Sequence, residues 1–414
     1  MASAIGRLTP FGRLWGAYTV SAVGTALSGF ALQVLVIEHL HANQQEVGWL
    51  RAAQWAPYLA FGLLAGAIAD RVRRKRVLVT FDLLNAAVLV VIAALAFADV
   101  LSLPMLTILV LLRGCFGLTY EAAHQSFVPD LVDTPGLMRA NARLEQSAMV
   151  AQTGGPAVAG VVVSWVGAPL VLALDAITYL GSAILLIGIR TESVDANRDV
   201  PVTTIRTAIA EGLRYVYTHP LLRWYAGTLH VWFIGNALVS TLLVFFALRD
   251  LQLNAAVVGV CLALGGVSGV VGAGLSDRLS LRFGLGRILF TCHVLLPLTY
   301  VMLILARPGV SGALLLGAAQ LLVGFIFGLS SPMELSWRNT ITRPELRGRM
   351  NGTIRSVNWG MNTIAGPVAG AAAVVAGTRA AMVAGIVVLA LVATVFGLSP
   401  MRSVRMPESD AVPS

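Results

Sequence analysis

Gly66-Ala-Ile-Ala-Asp70-Arg71-Val-Arg73-Arg74-Lys75-Arg76 decides how this chain is read. Roughly 20 apolar residues precede it and roughly 20 follow, each run long enough to cross a bilayer. Five cations and one acid cannot sit in hydrocarbon. The turn therefore projects from one membrane face, and its cations hold that face in the cytoplasm. The design returns as Gly274-Leu-Ser-Asp277-Arg278, followed by Arg282 and Arg287. An acid-plus-base turn repeated between two pairs of spans points to a transporter built from two halves.

Composition agrees. Of 414 residues, 57% are hydrophobic and 12% charged, more apolar surface than a soluble domain can bury. The net charge of +9 lies in loops between spans, which argues against a nucleic-acid face and fits anionic lipid headgroups. Lys75 is the sole lysine. Cys115, Cys261 and Cys292 fall inside apolar runs without metal-ligand spacing and are expected to be buried and reduced. Phe11 to Ile37 is too long an apolar run for a cleaved signal and is taken as the first span.

Hydropathy marks twelve spans, at 12–38, 46–69, 77–98, 103–127, 142–166, 168–190, 223–248, 254–276, 286–306, 311–336, 350–375 and 379–399. The expected fold is an all-α polytopic membrane protein with twelve transmembrane helices in two pseudo-symmetric six-helix halves. The expected domains are a bundle over 1–190, a cytoplasmic linker over 191–222, a second bundle over 223–400 and a disordered tail over 401–414. Within the linker, Ile205, Ala208, Ile209, Leu213 and Val216 share one face, which predicts an amphipathic helix on the membrane surface. Arginine-rich loops alternate with poorer ones, so both termini are expected in the cytoplasm of a bacterial inner-membrane protein.

The halves also match in sequence. Phe116-Gly-Leu118 recurs as Phe327-Gly-Leu329 and Gly155-Pro156 as Gly366-Pro367, both 211 positions on; Arg139-Ala-Asn141 recurs as Arg349-Met-Asn351, 210 on. Repeats of this kind place a substrate site between the halves near the midplane.

These motifs, with Val128-Pro-Asp-Leu-Val132, Gly160, Asp175-Ala-Ile-Thr-Tyr-Leu180 and Glu211-Gly-Leu-Arg-Tyr215, resemble the major facilitator superfamily over essentially the whole chain. Within it, the chain is similar to the bacterial exporters of siderophores, macrolides and other drugs. The resemblance implies alternating access and export of a small amphipathic molecule in exchange for protons, by a monomer needing no cofactor. An uptake symporter or a lysolipid flippase uses the same scaffold, and a non-transporting sensor or scaffold is the reading from another class. Two positions depart from the pattern: Arg73 replaces a usual glycine, and Thr25 follows Gly24 where many relatives carry an acid.

Candidate residues follow. Gly66, Asp70, Arg71 and Arg74, with Asp277 and Arg278, are expected to gate the cytoplasmic side, and the resemblance implies that Asp70 faces the start of the eleventh span; the bland reading is that the cations only set topology. Arg113 lies about 15 Å into the fourth span by helical rise, on one stripe with Gly117, Tyr120 and His124. A buried arginine is functional or paired, and the resemblance implies proton transfer; the structural reading is a pair with Glu121 or Glu145. Glu121, Asp175 and Glu334 are the acids that could carry the proton, whereas Asp82 and Asp277 are expected to be structural.

Asn351, Arg355, Asn358 and Asn362 share a face of the eleventh span, and Asn141, Glu145 and Gln152 share the matching face of the fifth. Glu145 and Arg355 could pair as a gate, or these faces could be polar glue. Gln33, Gln152, Asn358, Asn362 and Trp359 are the expected cavity contacts. Gly155-Pro156 and Gly366-Pro367 are expected to bend their helices; the resemblance associates the first with exporters. No phosphate-binding Gly-rich loop and no metal-ligand spacing is present in the sequence, so the reading is not an enzyme.

Overall fold

In lipid an apolar run must satisfy its own backbone, which leaves the α-helix. The structure, a computed structural model, describes residues 9–69, 74–189 and 205–405, and there the chain is helical with no strand. Asp70, Arg71 and Arg73 lie outside the described residues.

The first six spans are α1 (Pro10–Val34), α2 (Gln44–Ala69), α3 (Arg74–Phe97), α4 (Leu103–Phe127), α5 (Thr134–Val166) and α6 (Ala168–Ile187). After the linker helix α7 (Ile205–Thr218) come α8 (Leu222–Phe245), α9 (Ala255–Phe283), α10 (Leu285–Leu305), α11 (Val310–Thr340), α12 (Pro344–Ala376) and α13 (Thr378–Leu398). Among the described residues, eleven helices have the length and hydropathy to cross a membrane. α2, 26 residues long, is the remaining span.

Contacts divide the chain into two units. Unit 1 comprises 1–42, 53–202 and 254–263; unit 2 comprises 43–52, 203–253 and 264–414. In unit 1, α1 packs on α5 and α6, and α3 on α4 and α6. In unit 2, α8 packs on α12 and α13, and α10 on α11 and α13. The pairings are the same, helix for helix.

The repeat extends to backbone detail that no side chain announces. α1 and α8 each run into a π turn, Leu35–His39 and Phe246–Asp250. His41 and Gln252, 211 positions apart, both take left-handed φ, at 50° and 54°. Gly167 and Gly377, which separate α5 from α6 and α12 from α13, have φ of 79° and 89°.

Close helix approach in a membrane needs small residues. Pro156 and Pro367 lie inside continuous helices, and their surroundings are where backbones meet. In unit 1, Gly259 of α9 rests on the Pro156 carbonyl, and Gly155 packs against Ala26. In unit 2, Gly366 and Gly48 pack backbone to backbone. Any side chain at either place would push the helices apart.

Two expectations change. The amphipathic helix α7 does more than lie on a surface: Gly212 sits against Thr353 and the Arg349 carbonyl of α12, and Arg349 pairs with Glu211. The chain also stays ordered past position 401. Pro400–Ser403 forms a 3-10 turn with Met401 fully buried, and Gly286 N–H donates to the Val404 carbonyl. Residues 406–414 lie outside the described residues.

Candidate functional site

The most expensive groups to bury are charges, and unit 1 buries two of opposite sign together. Arg113 of α4 and Asp175 of α6 approach to 3.6 Å, with side-chain exposures of 15% and 0%. The partner of Arg113 is thus Asp175 rather than the expected Glu121 or Glu145. Helix packing explains the change. Glu121 lies two turns from Arg113 on the same helix and accepts from its own neighbour Gln125, whereas Glu145 is exposed.

Thr178 donates to Asp175 Oδ1 at 2.9 Å, and the Ser28 hydroxyl of α1 donates to the Thr25 carbonyl at 3.3 Å. Oδ2, which faces Arg113, has no hydrogen-bond partner. Gly24 makes this seat possible, because any β-carbon there would occupy the space of the Asp175 carboxylate and the Thr178 hydroxyl. Tyr179 lies one turn beyond Asp175 on α6. Its hydroxyl lies 3.0 Å from Thr25 Oγ1.

Thr25 in turn lines a cavity of about 230 Å³, with Gly29, Phe30, Gln33, Gln152 and Pro156. Gln33 and Gln152, expected as cavity contacts from separate helices, come together here. None of the lining side chains is ionisable. A buried acid of α3, Asp82, accepts from Ser182 of α6 at 2.6 Å through Oδ2, and its Oδ1 has no hydrogen-bond partner.

Unit 2 distributes its polar groups differently. Glu334 accepts from the Tyr225 hydroxyl at 2.8 Å, and Arg338 donates to that hydroxyl at 3.4 Å. Asn358 is buried, its Oδ1 2.6 Å from His230 Nδ1, and His230 Nε2 lies 2.8 Å from the hydroxyl of Tyr217 on α7. Asn362 is buried one turn on. The guanidinium of Arg355 lies over the Trp359 ring at 5.0 Å.

The first cationic turn is anchored at its described end. One guanidinium nitrogen of Arg74, Nη1, donates to both oxygens of Asp130 at 2.9 and 2.7 Å, a charge-assisted contact. This joins the cationic turn to the Val128-Pro-Asp motif. Lys75 donates to the carbonyls of Ile187 and Ile189 at 2.8 and 2.6 Å, and Arg13 to that of Gly188. Cations there complement the negative end of α6. In the second repeat Asp277 and Arg278 lie in the last turns of α9 rather than in a loop between spans, and both are exposed.

Tyr179 and Thr25 escaped sequence reasoning. The available signal was spacing: Tyr179 is four residues after Asp175 on one helical face.

The sequence profile of the Major Facilitator Superfamily matches residues 14–361. The chain is 26% identical to the multidrug efflux pump Tap of Mycolicibacterium fortuitum, covering 87% of this chain and 88% of that one. It is 28% identical to the uncharacterized MFS-type transporter y4rN of Sinorhizobium fredii, covering 84% and 85%. Among solved structures, the nucleoside transporter NupG superposes with a TM-score of 0.76 at 11% identity, covering 96% of this chain and all of that one. A bacterial homologue of the iron transporter ferroportin, in an inward-facing state, superposes at 0.72 with 14% identity, covering 95% and 98%.

Proposed function

The chain belongs to the major facilitator superfamily, and on that premise we propose that it exports a small amphipathic molecule by proton antiport. The observation that carries the reading is the buried Arg113–Asp175 pair beside the cavity of Gln33 and Gln152. A carboxylate with one oxygen free of hydrogen bonds can take a proton there, and a cation at 3.6 Å can stabilise it once the proton leaves. Asp175 is the proton carrier, and Arg113 is its counter-charge.

Export is supported by the relatives named as multidrug efflux pumps and by Gly155-Pro156 in α5. The protein works in the bacterial inner membrane with both termini in the cytoplasm. Gly66, Asp70 and Arg71, with Asp277 and Arg278, gate the cytoplasmic side.

Inside-out vesicles under an imposed proton gradient test the reading with ethidium, erythromycin and tetracycline. Accumulation of at least one probe should require both the protein and the gradient, and should vanish in Asp175→Asn. Protein-dependent movement that ignores the gradient would overturn antiport.

A further inference from the structure

We propose that Asp82 is a second proton-binding group of unit 1, with Tyr120 the positioning residue that decides when it gives the proton up; its place in the transport cycle rests on the antiport reading above. Asp175 has a cation beside it, and Asp82 has none: among the described residues no Lys, Arg or His is ion-paired with it. Asp82 is fully buried. Oδ2 accepts from Ser182 at 2.6 Å, and Oδ1 meets no donor. A carboxylate so placed has lost its water and gained a single hydrogen bond, so burial holds Asp82 in its neutral form.

α4 carries the complement. The Tyr120 hydroxyl is buried with no hydrogen-bond partner. α3 and α4 are successive, antiparallel spans, and the rings of Phe81 and Phe116 meet at 5.5 Å. Asp82 follows Phe81, and Tyr120 stands one turn past Phe116. Helical side chains lean toward their own N-terminus, so on antiparallel helices these two lean toward each other. Tyr120 also packs in one apolar cluster with Leu78, one turn before Asp82. An acceptor without a donor thus stands near a donor without an acceptor. The other ionisable groups that the packed helices bring to this seam are His124 of α4, stacked on Tyr18 of α1 at 4.8 Å, and Tyr179 and Asp175 of α6, with Arg113 held by Asp175.

The pair has two settings. In this structure Tyr120 and Asp82 are not bonded, and Asp82 keeps its proton. Leu78, one turn before Asp82, and Leu186, one turn after Ser182, are fully buried in the same apolar cluster. They close the seam toward the end of α6 that Lys75 holds. When α4 slides along α3, Tyr120 donates to Oδ1 while Ser182 keeps Oδ2. Two donors stabilise the carboxylate. The Asp82 O–H bond breaks, its electron pair stays on Oδ1, and the proton leaves to water admitted as the two leucines part. Asp175 and Ser182 lie two turns apart on one face of α6. Unit 1 therefore holds two carboxyl groups in line, one with a fixed cation and one with a donor that comes and goes.

Infrared spectroscopy of the purified protein, stepped from acidic to alkaline buffer, reads protonated carboxyl groups without any substrate. A carboxyl band should titrate away in the wild type, be missing in Asp82→Asn and persist in Asp175→Asn. Tyr120→Phe loses no hydrogen bond of this structure, so it should fold, and it should make that proton about tenfold harder to remove, the scale of one hydrogen bond to a charged group. No titrating band lost in Asp82→Asn, or a band indifferent to Tyr120→Phe, overturns the proposal. In proteoliposomes, Asp82→Asn should lower the ratio of protons to substrate for whichever of ethidium, erythromycin and tetracycline the wild type exchanges. An unchanged ratio removes Asp82 from the cycle and leaves antiport intact. If the gradient drives none of the three probes in the wild type, antiport itself falls, and the infrared titration still decides whether Asp82 takes and releases a proton.

Discussion

α4 and α11 hold the same place in the two repeats, yet one carries Arg113 where the other, 211 positions on, carries Gly324. In unit 2, Gly324 and Gly328 lie backbone to backbone against Gly265 and Gly269 of α9. In unit 1, Gly114 instead meets Pro57 and the Gln54 carbonyl of α2, and the neighbouring Arg113 reaches Asp175. The position that answers to Asp175, at the offset of 210 that relates Gly167 to Gly377, is Gly385, which packs against Gly235 as Asp175 does against Gly24. One scaffold thus serves two purposes. Unit 2 uses this contact for close packing, and unit 1 uses it to hold buried charge.

The largest test of that contrast removes the charge. Arg113→Ala leaves Asp175 without its cation; stranding one member of a buried pair costs about 3–5 kcal/mol. Thermal unfolding in detergent should show the loss, and gradient-driven extrusion should disappear. Arg113→Ala with Asp175→Asn should recover most of the stability and none of the driven transport. Near-normal driven transport in the double variant would move the proton site elsewhere.

Gly324→Leu attacks the other side. A side chain there runs into the Gly265 carbonyl and the Ser268 hydroxyl, so unit 2 should lose about 1–3 kcal/mol from overpacking. The surviving protein should keep the wild-type ratio of protons to substrate. A changed ratio would mean that α11 also participates in coupling.

A smaller effect is expected at Glu334. Its partner is a tyrosine hydroxyl, and glutamine retains an oxygen to accept that bond. Glu334→Gln should slow driven extrusion by less than about threefold, on the scale of one ordinary hydrogen bond. Abolition would transfer the proton role of Asp175 to unit 2.

The smallest difference concerns how the repeats start. Thr9 caps α1 by accepting from Gly12 N–H, a bond indifferent to pH. At the start of α8, His219 Nδ1 accepts from the N–H groups of Leu221 and Leu222. Partial burial lowers the His219 pKa below its ordinary value. The folded protein therefore binds fewer protons at this site than the unfolded chain, and the contribution is present above the unfolded pKa. It fades as pH falls through the lowered one. Melting temperature should drop slightly more on acidification in the wild type than in His219→Gln; identical slopes would remove His219 from the balance.

Much of this was legible beforehand, and the division has physical causes. Hydropathy reports helices one at a time, so the spans and the repeat offset were visible, as were Arg113, Asp175, Gln33 and Gln152 individually. Which of them meet depends on how α1, α4, α5 and α6 rotate about their axes, and no periodicity within one helix carries that. Hence Arg113 was paired with acids on its own and the next helix, when its partner stands on α6. Asn358 seemed a cavity group on its face of the eleventh span, but His230 takes up its amide oxygen. The π turns and the left-handed His41 and Gln252 left no sequence mark, because neither residue type demands that backbone.

Lys75, seated on the last carbonyls of α6, gives the molecule an experimental handle. It carries the one side-chain primary amine in the chain, and α6 is the helix that bears Asp175. An amine-directed reagent therefore has a single side-chain address. Its rate of reaction rises when the end of α6 releases that amine and falls when it is held. Labelling kinetics at different proton gradients would follow the motion of the helix that bears Asp175 without any introduced cysteine or fluorophore.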